Sequence, residues 1–152
     1  MYDILLYSHS GLRWIVLILI VGALAKAISG MASGAAYGPM DNKLSLFSLI
    51  SCHIMLLLGF VLYFVSPIVQ SGLMNMGSAM KDPVLRFWTV EHLSVMIIGI
   101  VMITVGRIRL KKLDNDAAKH KNIVIFFGVG LLLILSRIPW PFMEGFSGRG
   151  WF

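Results

Sequence analysis

The chain has 152 residues, 58% of them hydrophobic and only 13% charged, where a soluble domain carries roughly a quarter charged residues. A soluble fold of this length cannot cover so much apolar surface, and the single cysteine, Cys52, excludes an intrachain disulfide and an all-cysteine metal cage. The formal charge is +6, but the basic residues flank apolar runs instead of forming a patch interleaved with polar sequence, so nucleic acid is not an expected partner.

About 20 apolar residues cross the roughly 30 Å core of a bilayer at about 1.5 Å rise per residue. Four stretches meet that length: Ile4 to Ile28, Leu44 to Val65, Leu85 to Ile108 and Asn122 to Ile138. The N-terminus has no basic stretch, carries Asp3 and lacks a small-residue cleavage site, so the first span is expected to remain in the mature chain. Between spans one and two, "GMASGAAYGPMDN" reads as a glycine-rich loop. Between two and three, "VQSGLMNMGSAMKDP" is long enough for a short surface helix. Pro67, Pro83, Pro139 and Pro141 stand just outside the spans, where a missing N–H costs little. Residues 1–152 therefore read as one all-α domain, an integral membrane up-down four-helix bundle.

Lysine and arginine placement sets the orientation. Arg107, Arg109, Lys111, Lys112, Lys119 and Lys121 crowd the last loop, and Lys26 and Lys43 share its side. Arg13, Lys81, Arg86, Arg137 and Arg149 fall on the other side. In a bacterial inner membrane this puts the basic loop in the cytoplasm and both termini in the periplasm, with Tyr2, Trp88 and Trp140 as an outer aromatic belt.

Counting depth brings the polar residues together. His9 lies roughly 8 Å inside the outer end of span one, and His92 roughly 10 Å from the same surface in span three. Spans one and three sit on the diagonal of an up-down bundle and face each other across its core. Two imidazoles at one depth on diagonal helices predict bis-histidine ligation of one haem b, with His9 and His92 on the iron. Arg13, one turn below His9, with Arg86 and Arg137, would bind the propionates. Glu91, the one acidic residue inside a span, is expected to orient an imidazole or pair with an arginine. Gly59 on span two and Gly99 on span three lie where a missing side chain admits a macrocycle or a close helix neighbour.

The other polar residues invite plainer readings. His53, near the midplane, has no histidine opposite it on span four; a buried structural role, such as a bond to a backbone carbonyl, is expected ahead of proton transfer or quinone contact. His120 reads as solvated in the basic loop, Cys52 as packing, and "RIRLKK" as a topology signal that also suits anionic lipid headgroups.

The stretches "HSGLRW", "DNKLSLF", "LYFVSP", "RFWTVEH", "DAAKHK" and "IPWPF" together resemble small bacterial four-helix membrane proteins described as cytochrome-b-like. More distantly, the chain is similar to one half of haem A synthase, whose alternate helices carry outer histidines; these map onto His9 and His92. Glu91 stands directly before its histidine, three residues upstream being the synthase pattern, and no arginine directly follows His9 or His92. The resemblance implies haem binding in an electron-transfer or accessory subunit of a respiratory complex. Lipid, neighbouring membrane subunits, and a quinol or periplasmic cytochrome are the expected partners. A cofactor-free accessory subunit and a synthase-like enzyme or haem chaperone are the alternatives. No metalloprotease, serine-nucleophile or phosphate-loop motif is present.

Overall fold

A computed structural model describes residues 2–143 and 145–146; Arg149, one of the expected outer basic residues, lies outside them. Four helices are long and apolar enough to cross a membrane, and the chain is an all-α, multi-pass membrane bundle. Helix α1 spans Tyr2–Ser33 and α2 spans Pro39–Val65. Two short helices come next, α3 (Pro67–Met74) and α4 (Met76–Ala79), where the sequence left room for one. The third span is composite: α5 (Pro83–Arg86), a π-helical turn (Phe87–Glu91), α6 (His92–Arg109) and a closing 3-10 turn (Leu110–Lys112). Helix α7 spans Asp116–Ser136 and stops two residues earlier than expected, which leaves Arg137 beyond the last helical turn.

Local chemistry explains the boundaries. Gly34 adopts φ +67°, the left-handed conformation that ends α1. Ser66 is extended because Pro67 comes after it, and α2 stops there. Asp82 Oδ1 accepts from the backbone N–H groups of Val84 and Leu85 at 2.8 and 2.9 Å, and Asn115 Oδ1 accepts from Ala118 N–H at 3.1 Å.

Helix α1 packs on α2 and α7, and α6 packs on α7 and α2. The spans thus form a ring in chain order, with α1 and α6 across its diagonal. Large apolar side chains such as Ile18, Leu57, Phe64, Ile98, Val101 and Leu132 point outward, the reverse of a soluble bundle, because lipid accepts them as readily as a core does. Small and weakly polar residues fill much of the interior. Ser45, Ser48 and Ser51 are buried on α2 and bond backward to the carbonyls of Asn42, Leu44 and Ser48 at 3.0, 2.8 and 3.0 Å, so no hydroxyl of this stripe is left bare in hydrocarbon. Cys52 is fully buried among them, in the packing role expected of it.

Gly99 takes the second of its two expected roles, a close helix neighbour, and not its role toward a cofactor. A Cβ there would meet Ile134 Cγ1 at 3.1 Å and the Gly130 carbonyl oxygen at 3.2 Å. Gly99 therefore admits α7, and no macrocycle has access to that face. His120 requires a correction: it is 1% exposed, not solvated. Its Nε2 lies 3.1 Å from the Ala35 carbonyl oxygen, and its ring fills the space left by Gly30. His120, Ile123, Phe127, Gly130 and Ile134 form the buried stripe of α7, so the histidine belongs to that face and not to the loop.

Candidate functional site

The site lies where α1, α2 and α6 meet at the end of the bundle that carries the N-terminus. His9 sits in the third turn of α1, and His92 is the first residue of α6. Their rings stand edge to face, 6.4 Å between centres and 64° between planes. Equal depth on diagonal helices thus brings the two side chains together. An iron held at about 2 Å from one nitrogen of each ring would put the ring centres about 6 Å apart, close to the spacing observed.

Each imidazole is held differently. His92 Nδ1 lies 2.7 Å from the Arg137 carbonyl oxygen. That carbonyl accepts, so Nδ1 carries the proton and the lone pair sits on Nε2, the tautomer a metal ligand needs. The rings of Phe87 and Trp88 lie 5.7 and 5.6 Å from the His92 ring and confine it. The preceding π-helical turn sets its direction: the His92 N–H reaches back to the Phe87 carbonyl, five residues earlier. The extra residue in such a turn rotates α6 relative to α5. Tyr63 on α2 fixes that turn, its hydroxyl donating to the Thr89 carbonyl at 2.8 Å.

His9 packs against Gly59, where a Cβ would stand 3.3 Å from His9 Cε1. The space expected at Gly59 for a porphyrin face is taken by the imidazole itself. His9 Nδ1 is buried and has no hydrogen-bond partner. An orphaned ring nitrogen in an apolar wall costs about 1–3 kcal/mol, a penalty that a bound group with a donor or a metal removes.

Below the two rings a cavity of about 140 Å³ runs into the bundle. Met55, Leu56, Leu62, Met96, Ile100 and Ile134 are among its walls, and Arg13 stands at its polar end. A void of this size takes a benzene-sized guest. A macrocycle is several times larger, so the flexible side chains of Met55 and Met96 and further wall residues would have to withdraw to admit one.

The charged residues pair more completely than the sequence implied. Glu91 engages two arginines: its Oε1 accepts from Arg86 Nε at 2.7 Å, and its Oε2 lies 3.5 Å from Arg137 Nε. It binds arginines and leaves the orientation of His92 to the Arg137 backbone. Arg86 also donates to the Met80 carbonyl at 3.1 Å. Neither Arg86 nor Arg137 reaches the cavity, whereas Arg13 does; its guanidinium lies over the rings of Trp14 and Trp140 at 5.2 and 5.9 Å. Trp140 thus packs on the arginine that lines the cavity. His53 Nδ1 lies 2.9 Å from the Leu49 carbonyl, but on an exposed face of α2 and not in the buried role expected of it.

Sequence reading missed the π-helical turn, the Arg137 carbonyl and Tyr63. The one legible hint was Pro139, which limits how far α7 can run. Among the described residues no three of His, Cys, Asp and Glu converge as a protein-only metal cage. Fold and site together define a class: a multi-pass helical membrane protein with a paired-imidazole cavity at one end of its bundle. No protein-family model, curated protein or solved structure matches the chain.

Proposed function

We propose that this is a haem b-binding protein of a bacterial inner membrane, with His9 and His92 as axial ligands. It would serve as an electron-transfer or accessory subunit of a respiratory complex, with its termini and the haem edge on the periplasmic side. The observation that carries the reading is the pair of imidazoles, one from each diagonal helix, with ring centres 6.4 Å apart at the head of an apolar cavity. Bound there, haem b supplies one-electron transfer at an iron whose two axial positions are closed. The chain's own residues do the rest. Arg137 O holds the His92 proton on Nδ1, Gly59 leaves room for the His9 ring, Tyr63 pins the turn that aims His92, and Arg13 offers a cation to a propionate. One cofactor near one surface cannot span the bilayer, so a quinol, a periplasmic cytochrome or a neighbouring subunit must complete the path.

The test is the visible spectrum of purified protein after haem titration. A low-spin six-coordinate spectrum is expected; His9→Ala and His92→Ala should each abolish it, and His53→Ala should leave it intact. Binding that survives both single replacements, or no binding at all, overturns the proposal.

One observation favours a cofactor-free accessory subunit instead. Glu91 already serves both Arg86 and Arg137, and Arg13 rests on two indole rings, so the arginines do not all require propionates. Under the haem reading, Arg13→Leu should lower haem retention more than Arg86→Leu; equal retention would favour the empty subunit.

A further inference from the structure

At the opposite end of the bundle a cleft of about 430 Å³ opens between the start of α2, the end of α6 and the first turns of α7. Arg107, Lys111 and Lys119 line it, together with Tyr37 and Asn42, and among the described residues no carboxylate does. Of the neighbouring acids, Asp41 is engaged elsewhere and Asp116 pairs with one cation of the cleft. Asp41 is buried behind the cleft, where Oδ2 accepts from Gly38 N–H at 3.0 Å and lies 4.0 Å from Lys26 Nζ, and Oδ1 lies 3.9 Å from His120 Nδ1. Asp116 takes part of the Lys119 charge at 3.4 Å.

The cations are placed, not merely crowded. Arg107 Nη2 donates to Asn42 Oδ1 at 2.8 Å, which fixes the guanidinium in the wall and leaves most of its five donors for a ligand. Lys119 Nζ stands 6.0 Å from the centre of the Tyr37 ring. Arg109, in the same basic run, turns away: its Nε donates to Asn122 Oδ1 at 3.3 Å and its guanidinium lies over Phe126. The Tyr37 hydroxyl, 3.2 Å from Ser45 Oγ, is held above its ordinary pKa chiefly by burial and keeps its proton, so this wall adds no negative charge.

We propose that the cleft binds a phosphate-bearing anion, either the phosphodiester headgroup of an anionic phospholipid or free phosphate. Three cations around one concavity match the multiple oxygens of a phosphate, and the planar guanidinium of Arg107 suits two of them at once. Met40 and Ile108, next in sequence to the cleft, face outward at 59% and 53% exposure. Their apolar surfaces lie where acyl chains would run, which favours a lipid. The site is independent of the histidine pair and of what that pair binds.

The experiment uses purified full-length protein in detergent, titrated with dioctanoyl phosphatidylglycerol, dioctanoyl phosphatidylcholine and inorganic phosphate, with binding read by native mass spectrometry. Saturable binding of one phosphatidylglycerol is expected, tighter than phosphatidylcholine. Lys111→Gln and Arg107→Gln should each weaken it about fivefold and together about 25-fold. Lys43→Gln and Lys112→Gln, basic and at the same end but outside the cleft, should leave it unchanged. Inorganic phosphate binding as tightly as the lipid, with the same variant pattern, assigns the site to free phosphate. Lys111 is exposed, so its variant carries the test should Arg107→Gln misfold. Equal weakening by cleft and control variants, indifference to both cleft variants, or no saturable binding of either probe would overturn the proposal.

Discussion

Two alanine substitutions two residues apart on α7 should behave oppositely. A Cβ at Gly130 would stand 2.8 Å from Ile103 Cγ1 and 2.9 Å from the Gly99 carbonyl oxygen. Ordinary carbon contacts begin near 3.5 Å, so α6 and α7 must part by roughly 0.6 Å to admit a methyl group. One of the obstructing atoms is backbone and cannot rotate away. A gap of that order forfeits a quarter to a half of each dispersion contact along the seam, and overpacking of this kind costs about 1–3 kcal/mol. At Gly128 a Cβ would meet only Leu24 Cδ2, at 4.0 Å. Gly128→Ala should therefore keep the gain of up to about 1 kcal/mol that alanine has over glycine in a helix. The two variants should differ by about 2 kcal/mol or more in reversible denaturant unfolding in micelles. Gly99→Ala should resemble Gly130→Ala and should do so without any cofactor, because Gly99 touches α7 and not the cavity. Coincident unfolding midpoints for Gly128→Ala and Gly130→Ala would refute the close approach of these helices.

Replacing His120 by alanine empties a fully enclosed site and strips the Ala35 carbonyl of its partner, so unfolding in micelles should show a loss of about 2–4 kcal/mol; an unchanged midpoint would mean a solvated imidazole after all. Glu91→Gln should cost about 1 kcal/mol, since all three partners of the Arg86–Glu91–Arg137 bridge are about one-third exposed; a loss of several kcal/mol would mean that the bridge is far drier than this exposure implies. Membrane orientation is tested by cysteine labelling of intact cells, which should reach Met74→Cys, 85% exposed, and miss Asp114→Cys. Labelling at position 114 from outside would invert the bundle. Gly72 would be a poor reporter for the same test, because it is buried against Thr89.

The four spans were legible because length and hydropathy alone decide what crosses a bilayer, and the diagonal meeting of His9 with His92 came from depth counting. Glu91 was visible as an arginine partner, but its service to two arginines was not. That depends on α7 ending at Ser136, which frees Arg137 to turn back toward the start of α6. Gly99 could be read two ways, since a glycine on a helix marks a close approach without saying what approaches. His120 was misread because its neighbours are charged. The period of α7, carried back from Ile134 through Gly130, Phe127 and Ile123, lands on it, so the signal was present and the loop composition hid it. The π-helical turn had no signal in residue types; the groups that touch it, the Tyr63 hydroxyl on the Thr89 carbonyl and the Phe146 ring 4.6 Å from that of Phe87, come from distant parts of the chain.

The termination of α7 also has an electrostatic consequence. A helix concentrates about half a negative charge at its carboxyl end. The carbonyls of Leu133, Ile134, Leu135 and Ser136 there bond to Ser136 Oγ, Arg137 N–H, Trp140 Nε1 and Arg137 Nη1, and the Arg137 carbonyl just beyond that end meets His92 Nδ1 at 2.7 Å. A metal bonded to the far nitrogen of that ring would be favoured in its more positive state by about 0.3–1 kcal/mol, which for one electron is about 10–40 mV toward the oxidised form. The Arg137 guanidinium opposes this, and Glu91, which shares its one carboxylate between Arg86 at 2.7 Å and Arg137 at 3.5 Å, offsets only part of that charge. Arg13, from the other side of the cavity, pulls the potential the opposite way. If the proposed haem binds here, Arg13→Leu should move it toward the ferric state without altering His9 or His92, a shift that potentiometric titration would read.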